Sequence, residues 1–359
     1  MAESVHAALK PVLESGQLAG SRKVAEFESR LAAWLGVPEV VVLSDASGAL
    51  ALALQMAGVA PGDEVITSPL ACSATLMPIA NLSAHPVWCD IDPLTGMPSA
   101  EHVAGLISEK TRAILLYHWS GDVGDVEDLL ALTRRHNIKL VEDASEAFGA
   151  ESRRRRLGGE ADFTVYSFYA TKHVTTGEGA ALISPSGQAA TSARHLRRFG
   201  LDPAKFRLPN GDLNPDFDIP LAGFNLAMNE LGATLGIEHL NHADWIVARH
   251  YSNGAFYDRA LAGIPGLHLL NRRSDCNSAY WTYALRVERR DALIRKLHSS
   301  GIGAQRLHMR NDAYTCFGSV LRDLPGVATF DAENLSIPCG WWVGEEERQY
   351  VVNCIREGW

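Results

Sequence analysis

Short apolar runs alternate with longer helical segments from residue 38 to about residue 185, and this alternation constrains the fold more than any other feature. Strands are predicted at 39–43, 64–67, 86–90, 112–117, 139–141, 162–168 and 180–184, and helices at 47–57, 74–82, 100–107 and 126–136. Such an alternation requires crossover connections and therefore predicts an α/β fold with a largely parallel sheet covered on both faces. Ligands bind at the carboxyl ends of the strands in these sheets.

The rest of the chain differs from this pattern in two places. Residues 201–225 contain several prolines and show no sustained period, and loops of this length are usually functional or are ordered by another surface. One long helix is predicted over 227–248, followed by a tail with a strand at 283–287 and a helix at 290–299. We therefore predict a large domain over 1–248 and a smaller α+β domain over 249–359.

Composition excludes several classes of protein. The net charge of -9 argues against a nucleic-acid partner held by phosphate contacts. The sequence begins with neither the basic start nor the apolar core of a signal peptide, and no apolar run is long enough for a membrane span. The six cysteines form no C-x-x-C pair, which indicates reduced thiols without a metal site. A cytoplasmic protein is expected.

Lys172 is the side chain that most directly indicates chemistry. It follows the apolar run at 162–168 and precedes Thr175-Thr176-Gly177-Glu178-Gly179, in a chain with only seven lysines among 33 basic residues. A desolvated lysine can lose its proton and attack a carbonyl, whereas arginine cannot. Lys172 is therefore a candidate Schiff-base lysine and indicates pyridoxal phosphate. The alternative is a surface lysine in a hairpin.

Two further segments lie at predicted strand ends. Between Leu43 and Leu50 a strand gives way to a helix, so its N–H groups and the Ser47 hydroxyl can bind an anion; the alternative is a serine N-cap. Asp143 ends another strand and can pair with a protonated pyridine nitrogen; the alternative is an aspartate N-cap beside exposed glutamates. With the Ser167 hydroxyl and Lys172, the set predicts a complete cofactor site.

These motifs and several others together resemble the DegT/DnrJ/EryC1/StrS family of aminotransferases, over most of the chain. The matching pieces are Ser47–Leu50, Pro61–Ile66, Pro86–Asp92, His118–Gly121, Glu142–Ala150, Ser167–Lys172, Thr176–Gly179 and Gly223–Asn225. The resemblance implies fold type I of the pyridoxal phosphate-dependent transferases, as in aspartate aminotransferase. This fold has a large domain with a mostly parallel seven-stranded sheet and a smaller α+β C-terminal domain.

The resemblance also implies roles for single residues. Lys172 matches the lysine that carries pyridoxal 5′-phosphate as a Schiff base, and Asp143 matches the partner of the pyridine nitrogen. Ser47 and Ser167 match phosphate-binding hydroxyls. Asn225 matches a residue that reaches the phosphate in the neighbouring subunit.

Three cofactor-binding positions depart from the family pattern. Glu146 stands near the ring hydroxyl, where the family often has Gln or His. Ala46 replaces the glycine of the phosphate turn. Cys72 replaces the aromatic residue that stacks on the ring, and with Ala227, which replaces an arginine, it bears on the choice of substrate.

The implied activity is transfer of an amino group from glutamate or glutamine to a keto sugar, a nucleotide-linked 3- or 4-keto deoxysugar. The implied assembly is a homodimer with shared active sites. A non-nucleotide ketone such as a keto-cyclitol, a small phosphorylated ketone or an antibiotic intermediate is an alternative, as are a dehydratase or lyase and a non-catalytic cofactor-binding regulator. His308, Arg310 and Arg306 are candidate substrate contacts; surface ion pairs are the alternative for the arginines.

Overall fold

A computed structural model describes residues 2–359 of the chain. The strands are β1 (Val40–Leu43), β2 (Glu64–Thr67), β3 (His85–Trp88), β4 (Thr111–Tyr117), β5 (Lys139–Asp143), β6 (Glu151–Ser152), β7 (Arg155–Arg156), β8 (Phe163–Ser167), β9 (Ala180–Ile183), β10 (Leu267–Leu269), β11 (Cys276–Asn277), β12 (Tyr283–Val287) and β13 (Asn334–Ile337). The α-helices are α1 (Ala2–Ser15), α2 (Arg22–Leu35), α3 (Ala46–Met56), α4 (Ser73–Asn81), α5 (Ala100–Ala104), α6 (Val126–His136), α7 (Gly187–Leu196), α8 (Pro203–Phe206), α9 (Glu230–Leu240), α10 (Ala243–Ala260), α11 (Arg290–Ser299), α12 (Pro325–Glu333) and α13 (Glu345–Arg356). Short 3₁₀ helices cover Trp119–Gly121, Asn311–Ala313 and Thr315–Phe317.

The central sheet has seven strands in the order β1-β9-β8-β5-β4-β2-β3. Strands β3, β2, β4, β5 and β8 pair in parallel. Strand β9 runs antiparallel to both of its neighbours, β8 and β1. The predicted mostly parallel sheet is therefore confirmed. The carboxyl ends of β4, β5 and β8 meet at one edge, where the chain carries Tyr117, Asp143 and Ser167.

Both faces of this sheet are buried, as its sequence pattern requires. Successive residues of β1 belong to opposite cores: Val40 and Val42 pack in one cluster, and Val41 and Leu43 pack in the other. Helices α2, α6 and α9 cover the first face, and α3, α4 and α7 cover the second. Helix α3 is buried from Ala49 to Leu54, so its N-terminus is held firmly against the carboxyl edge of the sheet.

The prediction of a single helix over 227–248 is wrong. The chain forms α9 and α10 instead, separated by Asn241 and His242, and α9 begins only at Glu230, after Asn229 caps its N-terminus. The two helices have different packing partners, since α9 lies against α1 and α2 whereas α10 lies against α13. Tertiary packing therefore breaks a segment whose local helix pattern is continuous.

The C-terminal part of the chain has its own core. Strands β10, β12 and β13 form an antiparallel sheet, which packs on residues of α10, α11 and α13. The domain boundary at residue 248 stays a prediction, and α10 runs across it. All six cysteines are free thiols. Among residues 2–359, no helix is both long and apolar enough to cross a membrane.

Candidate active site

A cavity of about 410 Å³ lies at the carboxyl edge of the central sheet. It brings together eight of the residues predicted from the sequence: Ala46, Ser47, Cys72, Asp143, Glu146, Ser167, Lys172 and His308. These residues come from the strand ends, from the starts of α3 and α4, and from the segment after α11. Residues that are far apart in the sequence thus meet in a single site, because the parallel strands of the sheet end at the same edge.

One end of the cavity is the N-terminus of α3. The cap is Asp45, whose side chain accepts a hydrogen bond of 2.7 Å from the Gly48 N–H, so the alternative of a serine N-cap is wrong. The N–H groups of Ala46 and Ser47 precede the first intrahelical bonds, and no partner for them is found among residues 2–359. The Ser47 hydroxyl donates to the Ala74 carbonyl at 3.0 Å. This end can therefore receive an anion.

The carboxylate of Asp143 lies at the end of β5 and is 1% exposed. One oxygen accepts a hydrogen bond of 2.6 Å from the Thr75 hydroxyl, and the other accepts one of 2.9 Å from the Ser145 N–H. Glu142 and Glu146 are equally buried. The alternative of an aspartate cap beside exposed glutamates is therefore wrong. Two donors fix the Asp143 carboxylate at the cavity wall.

Lys172 projects into the cavity, with its side chain 12% exposed. Its Nζ lies 3.6 Å from a carboxylate oxygen of Glu146 and 3.7 Å from the centroid of the Trp281 ring. The alternative, that Lys172 is a surface lysine in a hairpin, is therefore wrong. The neighbouring His173 does not line this cavity; its Nε2 lies 3.0 Å from the Ala279 carbonyl oxygen.

Glu146 connects Lys172 to a second basic group. Its Oε1 lies 3.4 Å from His308 Nε2, and its Oε2 accepts a hydrogen bond of 2.9 Å from the Ser120 N–H. Burial alone would raise the pKa of Glu146, but Lys172 and His308 outweigh it, so the pKa lies below its ordinary value. The carboxylate is therefore ionised and holds two basic side chains on one side of the cavity.

Tyr117 and Cys72 complete this wall as neutral groups. The Tyr117 hydroxyl lies 2.8 Å from His308 Nε2. Burial, aided by the charges of Glu146 and Asp143, raises the pKa of Tyr117 well above its ordinary value. Burial likewise raises the pKa of the Cys72 thiol. Both groups stay protonated at neutral pH.

The cavity residues that were not predicted from the sequence include Thr75, Tyr117 and Trp281. Tyr117 ends a predicted strand at the correct edge, and this position was a signal that could have identified it. Thr75 lies in the first turn of the helix predicted over 74–82, but only its contact with Asp143 identifies it. Trp281 lies more than a hundred residues beyond Lys172 in sequence, and nothing local marks it.

Three predicted residues lie outside the cavity. Arg306 forms an ion pair with Asp331, and Arg310 forms one of 2.6 Å with Asp312, as the ion-pair alternative expected. Asn225 is exposed and its backbone bridges to Arg198. Within one chain, none of the three reaches the site.

The cavity residues fit pyridoxal phosphate. This cofactor carries an aldehyde, a pyridine nitrogen and a phosphate dianion. The cavity offers an amine at Lys172, a fixed carboxylate at Asp143, and two unpaired N–H groups with a helix dipole at α3.

Comparisons with known proteins agree with this chemistry. Residues 1–356 match the model of the DegT/DnrJ/EryC1/StrS aminotransferase family. The chain is 30% identical over 356 residues to the spore coat polysaccharide biosynthesis protein SpsC of Bacillus subtilis (strain 168), covering 96% of this chain and 92% of SpsC.

Two solved structures are similar over nearly their whole length. The sugar aminotransferase CalS13 from Micromonospora echinospora superposes with a TM-score of 0.94 at 36% identity, covering 99% of this chain and 97% of CalS13. DesV from S. venezuelae, in complex with a ketimine intermediate, gives a TM-score of 0.90 at 28% identity, covering 98% of this chain and 93% of DesV.

Proposed function

The chain belongs to the DegT/DnrJ/EryC1/StrS family of pyridoxal 5′-phosphate-dependent aminotransferases, and we propose that it transfers an amino group from glutamate or glutamine to a nucleotide-linked 3- or 4-keto deoxysugar. The enzyme is a transaminase of fold type I, and its relatives are sugar aminotransferases. The observation that carries the proposal is the placement of Lys172, Asp143 and the N-terminus of α3 around one cavity.

We assign the cofactor contacts to residues of this cavity. Lys172 would hold the aldehyde carbon, Asp143 would pair with the pyridine nitrogen, and Ser47, Ser167 and the N–H groups of Ala46 and Ser47 would bind the phosphate. When bound, the cofactor carries the amino group and takes up the electron pair released at the reacting carbon. Glu146 and Cys72 would border the ring.

Lys172 is also the proton carrier of the proposed reaction. As a free amine, its Nζ would take a proton from Cα of the amino donor and deliver it to the cofactor, and in the reverse half-reaction it would carry a proton from the cofactor to the sugar carbon that receives nitrogen. Glu146, 3.6 Å away, stabilises the protonated amine between these steps. The bonds to Thr75 and Ser145 keep the Asp143 carboxylate in a fixed orientation.

Two alternative activities receive no support from the site. A dehydratase of this family would have a histidine in place of Lys172, and the only adjacent histidine, His173, does not line the cavity. A non-catalytic regulator would not need an amine beside a fixed carboxylate. The site therefore favours transamination.

A homodimer with shared active sites is part of the proposal. Asn225 is the exposed last residue of the irregular segment 201–225. Four apolar side chains of that segment are exposed as well, namely Leu208, Leu213, Ile219 and Leu221. A second subunit would cover these apolar side chains and bring Asn225 to its neighbour's phosphate. Light scattering of the cofactor-loaded protein tests this, and a monomeric mass would contradict it.

The decisive experiment follows both half-reactions. Glutamate is added to the purified, cofactor-loaded protein, and loss of the absorbance of the lysine-bound cofactor is followed; a panel of nucleotide-linked keto sugars, free keto sugars and keto-cyclitols is then offered. We expect turnover with a nucleotide-linked 3- or 4-keto deoxysugar and none in Lys172→Ala. Conversion by Lys172→Ala would refute the assignment of Lys172, and turnover confined to cyclitols would refute the sugar substrate.

A further inference from the structure

A second cavity, of about 600 Å³, adjoins the candidate active site. The two cavities share Thr171, Lys172 and Trp281. The second is completed by the junction of α9 and α10 and by the segment Pro338–Trp342 after β13. None of the roles proposed above for cofactor binding or proton transfer uses this space.

Aromatic rings dominate the outer part of this cavity. Trp341 and Trp342 line it, with 37% and 61% of their surfaces exposed. Their ring centroids are 5.8 Å apart and their planes lie at 84° to each other, so they form two perpendicular walls. Large exposed indoles grouped in this way indicate a binding surface.

The exposed indoles are held in place. The Trp342 ring lies so close to Gly340 that a Cβ at that residue would come within 2.3 Å of it, and its edge-to-face partner is His250, with centroids 6.1 Å apart. The Trp281 Nε1 donates to the Thr171 carbonyl at 2.9 Å. Rings that are fixed before binding lose little freedom when a ligand arrives.

Apart from Lys172, the polar side chains that line this cavity are uncharged ones and the histidines His173 and His239, whose pKa values are lowered by burial. Among the described residues, neither a carboxylate nor an arginine lines it, and its one charged side chain, Lys172, is already within 3.6 Å of Glu146. His173 is 2% exposed, and its Nδ1 has no partner among residues 2–359. Burial, with His250 beside it, holds the pKa of His173 well below its ordinary value. Since its Nε2 donates to the Ala279 carbonyl, Nδ1 carries no proton and adds no charge to the cavity wall.

We propose that this aromatic cavity binds an uncharged ring with hydrogen-bonding edges, a nucleobase or a second sugar ring, as the part of the substrate remote from the ketone. Fixed indole faces stack on such rings, while the exposed Gln305 meets their polar edges. A phosphate or carboxylate would find no free cation among the residues described there. The identification of the ring as part of the substrate rests on the proposed function, but its binding is measured without turnover.

The test measures dissociation constants of the cofactor-loaded enzyme for thymidine, thymidine 5′-diphosphate and methyl β-D-glucopyranoside by calorimetry. We expect Trp342→Ala to weaken binding of the matching ring about ten-fold, the loss that removal of one stacking aromatic causes. Thymidine and its diphosphate should lose the same factor, because the phosphates have no partner in this cavity. If thymidine loses affinity in Trp342→Ala, the ring is a nucleobase. If the glucoside loses affinity, the ring is a sugar.

Two variants serve as controls. Trp245→Ala removes an indole that is 50% exposed and lies 5.7 Å from Trp341 but outside the cavity, and it should leave every affinity unchanged. Gly340→Ala keeps all indoles but displaces Trp342, and it should weaken binding as Trp342→Ala does. Equal affinities in wild type and Trp342→Ala would overturn the proposal. A fall in particle mass on Trp342→Ala would also overturn it, because a second subunit would then be the occupant.

Discussion

His250 makes the stability of this protein depend on pH in a way that can be worked out from its surroundings. The side chain is 2% exposed, its Nδ1 lies 2.8 Å from the Tyr280 carbonyl oxygen, and the His173 ring is 4.3 Å away between centroids. Burial lowers the pKa of His250 from 6.5 to about 4. The folded protein therefore keeps this ring neutral where the unfolded chain protonates it.

The direction and the size of this pH dependence follow from the difference between the pKa values of His250 in the folded and unfolded states. Because the folded pKa is depressed, the unfolded state binds more protons below pH 6.5, and stability falls as the pH drops from there to about 4. Between pH 8 and pH 5 this one histidine lowers the free energy of unfolding by about 2 kcal/mol. His173, whose pKa is also depressed by burial, changes stability in the same direction.

The assay compares urea unfolding at pH 8 and pH 5, at one protein concentration, for wild type and His250→Asn. The smaller side chain lowers stability at both pH values, so the informative quantity is the difference between them. This difference should shrink by about 2 kcal/mol in His250→Asn. His85→Asn, at an exposed histidine, should keep the wild-type difference. An unchanged difference in His250→Asn would refute the reasoning.

Two further substitutions test packing and hydrogen bonding. Thr75→Val removes the buried hydrogen bond of 2.6 Å to Asp143, and we expect urea titration to show a loss of about 1.5–3 kcal/mol; unaltered stability would contradict the assigned bond. Gly254→Ala places a Cβ 2.3 Å from the Tyr280 ring, so it should lower the melting temperature, with a cost of about 1–3 kcal/mol. Gly232→Ala, whose Cβ meets no heavy atom closer than 3.5 Å, should be neutral or stabilising, as is usual for alanine in a helix; equal melting temperatures for both variants would count against the clash.

The local sequence pattern was sufficient to predict the bounds of a helix or strand where its packing partners stay the same along its length. The predicted strand at 64–67 and the helix at 126–136 have the predicted bounds, because turn residues limit them and each keeps one set of neighbours from end to end. The same pattern fails at 227–248, where one continuous helical signal serves two packing partners. A local stretch of sequence contains no information about that change of partner.

Some residues of the site could be predicted from local sequence and others could not. Lys172, Asp143 and Ser47 follow predicted strands of one parallel sheet, so their convergence could be predicted from the sequence. Trp281 joins them only because the C-terminal part of the chain packs against the sheet. The carboxylates that engage Arg306 and Arg310 could not be predicted either, because these ion pairs depend on how α12 and the segment after α11 are placed.

Residues of the central sheet and residues of the C-terminal part of the chain both border the site, and this has a consequence for its biosynthesis. A ribosome completes Lys172, Asp143 and the start of α3 well before it reaches Trp281 and His308, which border the same cavity. At ~5–20 residues per second, the interval between Lys172 and His308 is about ten seconds. During this time the nascent chain has an amine without its aromatic cover. The cavity proposed to hold pyridoxal phosphate is therefore completed late in the synthesis of this chain.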